Sequence, residues 1–354
     1  MMTMAIKADS AAAEGLAGPV LVWGAGAIGG TVGAALVRAG HAVVFVDIEA
    51  EHVAAIRDPK RGLVIEGPVE HHTVHAPAHR PGDLKGQFRR ILLCVKAQHT
   101  EAAARALLPH LAEDGYVASL QNGLCEPIIA GVVGPERTVG AFVNFSADWL
   151  APGHVLYGGR GAVVVGELDG SVTPRLEALH RLLALFEPRA ELTRDIGAYL
   201  WGKLGYGAML FAQALGEKGI ADALERPELL PLWRALGTEV MQVAAAEGVS
   251  PKGFNGFEPA AFQPGAAPEA AEASVAAMVA FNRPNAKTHS GIWRDLWVRR
   301  RSTEVDAQLA PVAALAARHG IAAPALTALI AAIHDCEAGR RPMDDRNLTE
   351  LLGA

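Results

Sequence analysis

GAGAIGG (Gly24–Gly30) is the stretch on which the reading of this chain turns. Before it runs PVLVWG (Pro19–Gly24), a valine-rich apolar segment of the kind that forms a buried parallel strand. After it, Ala27 to Ala39 reads as a helix with Gly40 as its stop, and HAVVFVD follows as a second strand ending at Asp47. Strand, glycine loop, helix, strand and acid, in that order, form the setting that a dinucleotide fingerprint requires. Gly24 permits the tight turn, Gly26 lets the backbone approach a pyrophosphate, and Gly29 lets the helix lie close to the strand. Ala25, Ala27 and Ile28 complete the loop, and the free N–H groups at the helix start are the phosphate donors. Asp47 stands where a carboxylate binds both ribose hydroxyls. That carboxylate repels a 2′-phosphate, and no arginine follows it in DIEAEH (Asp47–His52), so the residues favour NAD over NADP.

The chain around this motif has 354 residues, enough for two domains. The division expected is a loose leader over 1–18, a dinucleotide-binding domain over 19–190 and a helical substrate and dimerisation domain over 191–354. Hydrophobic residues make up 51% of the chain, which excludes disorder over most of its length. A net charge of −6 with 20% charged residues argues against a nucleic-acid partner. Cys94, Cys125 and Cys336 are scattered, with no metal-ligand spacing, so no metal is expected and a reduced compartment, the cytoplasm, fits. No apolar run is long enough to span a bilayer, and no membrane partner is expected.

The first half continues with ILLCVK (Ile91–Lys96) as a strand and Thr100–Leu111 as a helix. YVASLQNG (Tyr116–Gly123) is a strand entering a loop, and TVGAFVNF (Thr138–Phe145) is the next strand. His154–Leu168 reads as paired strands joined around Gly158–Gly161, and a short α/β crossover closes the domain near Pro188. Lys96 and Asn122 stand at strand ends, where side chains either face cofactor and substrate or cap their own loops. Past Leu192 the pattern is helical: Ala198–Leu215, Leu230–Ala246, Ala270–Phe281, Thr303–His319 and Ala323–Ala338. Ser250–Ala267, with its glycines and prolines, is a loop that either covers substrate or is plain surface. Within WGKLGYG, Lys203 interrupts an apolar helix, as a snorkelling surface lysine or as a catalytic one. Ala286–Asp306 is dense in polar groups. There Arg299–Arg301 is a solvated face or an anion site, and His289 is a substrate donor, a cap or a core histidine.

Together GAGAIGG, VKAQHT (Val95–Thr100), QNG (Gln121–Gly123), WGKL (Trp201–Leu204) and STEVD (Ser302–Asp306) resemble the ketopantoate reductase family, over nearly the whole chain after the leader. The resemblance implies an α/β fold with an N-terminal Rossmann-type domain and an all-helical C-terminal domain. It implies reduction of a 2-keto acid to a 2-hydroxy acid, typically with NADPH, in pantothenate synthesis. It makes Lys203 the match of the family's catalytic lysine and Glu304 the match of the acid near lysine and cofactor. Lys96 and Asn122 match residues lining the cofactor and substrate site, and the family's substrate-binding serine falls near Ser290 and Gly291. The chain departs from the family where asparagines often follow the lysine, at Gly207 and Phe211, and where an arginine usually follows the second strand, at Asp47 and Ile48.

The reading is an NAD- or NADP-dependent reductase of a small 2-keto acid, ketopantoate itself or a related compound. Asn122, Lys203 and Glu304 are its chemistry, and Lys203, His289 and Ser290 its substrate contacts. A homodimer is compatible with the helical second half. The alternatives are a divergent dehydrogenase of another hydroxy compound and a dinucleotide-binding regulator without turnover.

Overall fold

The computed structural model describes residues 18–353, so the expected leader lies outside the described residues save for Gly18. Within them the chain forms two compact units. One comprises residues up to Gln121 and Cys125–Ile196; the other comprises Asn122–Leu124 and the residues from Gly197 onward. The expected boundary at 190/191 falls too early, because Glu191–Leu192 pairs with a strand of the first unit.

The first unit is built on one sheet. Its strands are β1 (Val20–Trp23), β2 (Val43–Val46), β3 (Leu63–Glu66), β4 (His72–Val74), β5 (Ala78–His79), β6 (Phe88–Leu93), β7 (Leu111–Ser119), β8 (Thr138–Ala151), β9 (His154–Glu167) and β10 (Glu191–Leu192). Their order is β4-β3-β9-β8-β7-β6-β1-β2-β5, with β10 beside β9. From β8 to β5 every neighbouring pair is parallel. The helices are α1 (Ala27–Arg38), α2 (Ala50–Arg57), α3 (Thr100–Leu107), α4 (Glu126–Val133) and α5 (Pro174–Ala184). Strand order reverses between β1 and β6, and the crevice beyond the carboxyl ends of such a pair is where open α/β sheets take ligands.

Two stretches differ from the sequence reading. Gly158–Gly161 does not join two strands; β9 runs unbroken through it and pairs antiparallel with β8 as one long hairpin. The turn is at Pro152–Gly153, where Gly153 takes a positive φ of 76°. The inner glycines sit where the hairpin bends: a Cβ at Gly161 would lie 1.8 Å from the Asn144 carbonyl, and the pairing slips between Asn144 and Ser146. The helix expected over Thr100–Leu111 ends at Leu107, passes through a tight turn containing Pro109, and gives Leu111 to β7.

The second unit consists of helices. They are α6 (Ile196–Gln213), α7 (Ile220–Leu224), α8 (Leu230–Ala246), α9 (Pro268–Asn282), α10 (Gly291–Trp293), α11 (Val305–Gln308), α12 (Ala310–Arg318), α13 (Pro324–Glu337) and α14 (Arg346–Glu350). The single helix expected over Thr303–His319 is two, broken at Leu309 with Pro311 opening the second. Ser250–Ala267 is a loop, but a packed one. Phe254, Phe257 and Phe262 are buried, Phe257 stacks on Phe262 at 5.1 Å, and Ser274 Oγ ties the Glu258 N–H and the Gly256 carbonyl. Glu239 of α8 accepts from the Ala325 and Leu326 N–H groups and so caps the buried start of α13.

Candidate active site

The glycine loop leaves β1 at the switch point and is crowded on one side only. A Cβ at Gly24, whose φ is +97°, would meet the Val95 nitrogen at 2.8 Å, so this turn lies hard against the chain leaving β6. A Cβ at Gly29 would meet the Gly24 carbonyl at 2.0 Å, which fixes how closely α1 approaches the loop. Gly26 is different: a Cβ there meets nothing within 4 Å. Gly26, Ala27 and Ile28 are partly exposed, while Gly24 and Ala25 are buried. Gly26 is the N-cap of α1 and offers no side-chain acceptor, so the helix start presents bare N–H groups to an open space. A pyrophosphate fits such a place.

Asp47, at the end of β2, turns its carboxylate to this loop. One oxygen accepts from Ala25 N–H at 2.8 Å and the other from Glu49 N–H at 3.0 Å. Ionised carboxylates have about four lone-pair sites, so both oxygens keep capacity for ribose hydroxyls. Ile48, next to it, is 66% exposed. Beneath the loop, burial pushes the Cys94 thiol well above its ordinary value, which removes it as a nucleophile near neutral pH. Lys96 lies just past β6 as the N-cap of a short 3₁₀ turn.

In the second unit, Lys203 lies on α6. That helix is buried except at Gly197, Tyr199, Lys203, Gly207 and Leu210, and the last four follow helical spacing along one stripe. Lys203 is therefore on the open stripe, and a Cβ added at Gly207, one turn on, meets nothing within 4 Å. Phe211, a further turn along, is fully buried. Tyr206 is off the stripe and hydrogen-bonded to Asn282, and burial pushes its hydroxyl up to about 12, so it stays protonated in the neutral range. Asn122 opens the short segment Asn122–Leu124 of this unit, and the Gly123 position abuts Gln308 of α11.

Glu304 is buried at the start of α11, and the Thr303 before it is anchored. Glu337, at the end of α13, accepts from both the N–H and the hydroxyl of Thr303 at 2.7 Å, and Thr303 Oγ1 accepts from Val305 N–H. Ser290 is buried, and its Oγ caps α10 by accepting from Trp293 N–H; the hydroxyl still has its hydrogen to donate. His289 is the first ring of a ladder with Trp293 and Trp297, at centroid spacings of 3.9 and 5.5 Å. Each ring meets a carbonyl past the end of α6: His289 that of Glu217, Trp293 that of Gly216 and Trp297 that of Ala214. Of the arginine run, Arg299 and Arg301 turn onto the buried carboxylate of Asp295, around one π turn over Arg294–Val298. Among the described residues no group of three or more His, Cys, Asp and Glu side chains is gathered to hold a metal ion. None of their helices is long and apolar enough to cross a membrane.

A mostly parallel sheet with a glycine loop at its switch point, joined in one chain to a helical unit, is the architecture of the dinucleotide-dependent oxidoreductases, and the fold places the protein in that class. The ketopantoate reductase PanE/ApbA profile matches residues 20–170, and its C-terminal companion matches residues 195–337. The chain belongs to that family. A 2-dehydropantoate 2-reductase of Archaeoglobus fulgidus is 32% identical over 231 residues, 65% of this chain and 74% of that protein. The PanE/ApbA family ketopantoate reductase of Ralstonia eutropha JMP134 superposes with a TM-score of 0.75 at 26% identity, over 91% of this chain and 99% of that one. D-mandelate dehydrogenase, solved with NADH and anilino(oxo)acetate, has the same fold, with a TM-score of 0.79 at 21% identity over 91% and 99% of the two chains. Family and fold together support NAD(P)-dependent oxidoreductase activity on a small keto or hydroxy acid.

His52, Glu337 and Asp295 have no part in the sequence reading, although each holds a candidate site residue or its flanking segment. No local pattern marks them; their partners are far along the chain, apart from the Asp295–Arg301 pair inside the polar stretch.

Proposed function

We propose that the protein reduces a small 2-keto acid to the 2-hydroxy acid at the expense of a reduced nicotinamide dinucleotide, with Lys203 as the proton donor. The bound dinucleotide supplies the hydride; the chain supplies everything else. The N–H groups of Gly26, Ala27 and Ile28 hold the pyrophosphate, and Asp47 and Lys96 contact the ribose and nicotinamide portions. As the carbonyl oxygen gains charge, the Lys203 ammonium stabilises it and passes on a proton. Glu304 keeps that ammonium charged and oriented, Asn122 positions the carbonyl group or the nicotinamide ribose, and Ser290 and His289 contact the substrate. Asp47 favours NADH, because its carboxylate lies where a 2′-phosphate would be; the family resemblance favours NADPH.

Lys203 carries this reading: it is the cation on the open stripe of an otherwise buried helix. The bare Gly207 beside it supports a substrate other than ketopantoate, one that fills the space an asparagine side chain would take. The test follows loss of reduced-nicotinamide absorbance with NADH and NADPH, each against ketopantoate and a panel of 2-keto acids with larger side groups. Turnover of ketopantoate alone refutes the larger substrate; turnover of none, with dinucleotide bound, refutes reduction.

A further inference from the structure

We propose that His52 is a positioning residue for the dinucleotide loop, setting the direction in which the Gly26 N–H points. The proposal rests on the reading that GAGAIGG takes a nicotinamide dinucleotide. His52 belongs to α2 and is only 1% exposed. Its Nδ1 faces two donors, the Gly153 N–H at 2.8 Å and the Trp149 indole N–H at 3.3 Å. A ring nitrogen that accepts carries no proton, so the proton is on Nε2. Nε2 then donates to the Ala25 carbonyl at 2.8 Å. The tautomer is fixed by the tip of the β8–β9 hairpin, and the loop receives the consequence.

Ala25 is thereby held from both sides: its N–H by Asp47, its C=O by His52. In a trans peptide the C=O and the following N–H point in opposite directions. No described peptide bond is cis. With the Ala25 carbonyl drawn to His52, the Gly26 N–H is aimed away from the ring, at a residue that is partly exposed and whose added Cβ finds open space. Without His52 the Ala25–Gly26 peptide loses what fixes its plane, and glycine offers little resistance to a flip that would turn the donor inward. The hairpin tip is seated firmly enough to serve as the reference: the Gly153 carbonyl accepts from Val64 N–H at 2.8 Å.

The test compares wild type with His52→Phe, which keeps a ring but has no nitrogen, and His52→Gln, whose amide restores a donor for the Ala25 carbonyl. NADH and NADPH dissociation constants are read by fluorescence titration, alongside thermal unfolding. His52→Phe is expected to raise the dissociation constant of the preferred dinucleotide about tenfold or more, and His52→Gln to recover part of it. Turnover at saturating dinucleotide should stay near the wild-type value. A folded His52→Phe with an unchanged dissociation constant overturns the proposal, as does a lower turnover with unchanged affinity. If the variants fail to fold, a two-bond proton–nitrogen correlation spectrum of histidine-labelled wild type decides it. A proton on Nε2 of the buried histidine supports the clamp, and one on Nδ1 overturns it. A wild type that binds neither dinucleotide refutes the functional reading instead, while the spectrum still reports on the clamp.

Discussion

Ala25 and Thr303, the residue before Glu304, are each held by side chains from other elements, yet the two regions are built on opposite plans. The glycine loop is a mostly local motif: Gly29 lies against the Gly24 carbonyl and Asp47 arrives one strand later, while the chain leaving β6 and the His52–hairpin contact come from farther along. Lys203 and Glu304 belong to no such unit. Lys203 owes its exposure to the stripe on which α6 leaves it. Glu304 follows Thr303, which is held by Glu337 at the far end of α13. A motif that shapes itself tolerates a divergent sequence around it; a residue placed by distant helices depends on all of them.

The sharpest test of the first plan is a pair of substitutions in one loop. Gly29→Val drives a side chain into the Gly24 carbonyl and should lose both dinucleotide binding and thermal stability. Gly26→Val enters open space at an ordinary φ of −68°, so it should abolish dinucleotide binding with the melting temperature little changed. Equal losses of stability in the two would break the distinction. For the second plan, Lys203→Ala should lower turnover about 10²-fold or more with dinucleotide affinity intact; steady-state kinetics beside a fluorescence titration measures both. Glu337→Ala releases the Thr303 N–H and hydroxyl and should reduce turnover about tenfold, with Glu337→Gln closer to wild type because its carbonyl oxygen still accepts both bonds. Unchanged kinetics in Glu337→Ala would show that Glu304 holds its place without that support. The smallest effect expected is that of Gly207→Ala, which meets no neighbour and should add about 0.5–1 kcal/mol to stability from helix propensity. Its informative readout is the relative kcat/KM for small and large 2-keto acids.

The same contrast explains how much of the molecule is legible in its sequence. The β1–α1–β2 unit is readable because strand and helix periods are local and the glycines mark close approach. The hairpin is less so: Gly158–Gly161 has the composition of a turn, and only pairing with β8 makes it the inside of a strand. Strands β4 and β5, three and two residues long, are too short to stand out, and they exist because β3 and β2 give them a partner. Lys203 is conspicuous as a charge in an apolar helix, but its stripe is visible only once the other faces of α6 are covered. His289 reads equally as donor, cap or core residue, since nothing near it in the chain announces the ladder with Trp293 and Trp297 or the carbonyls beyond α6.

The His52–Gly153 bond joins residues 101 positions apart, and β3 pairs with β9 across a similar stretch, Val64 opposite His154. Contacts of such long range form late, because the intervening chain must be ordered first. A nascent chain leaving the ribosome therefore carries its complete glycine motif well before the hairpin tip that steadies it has been made. Over that interval the loop is translated without its hairpin contact, and on the reading proposed above dinucleotide capture waits for the hairpin.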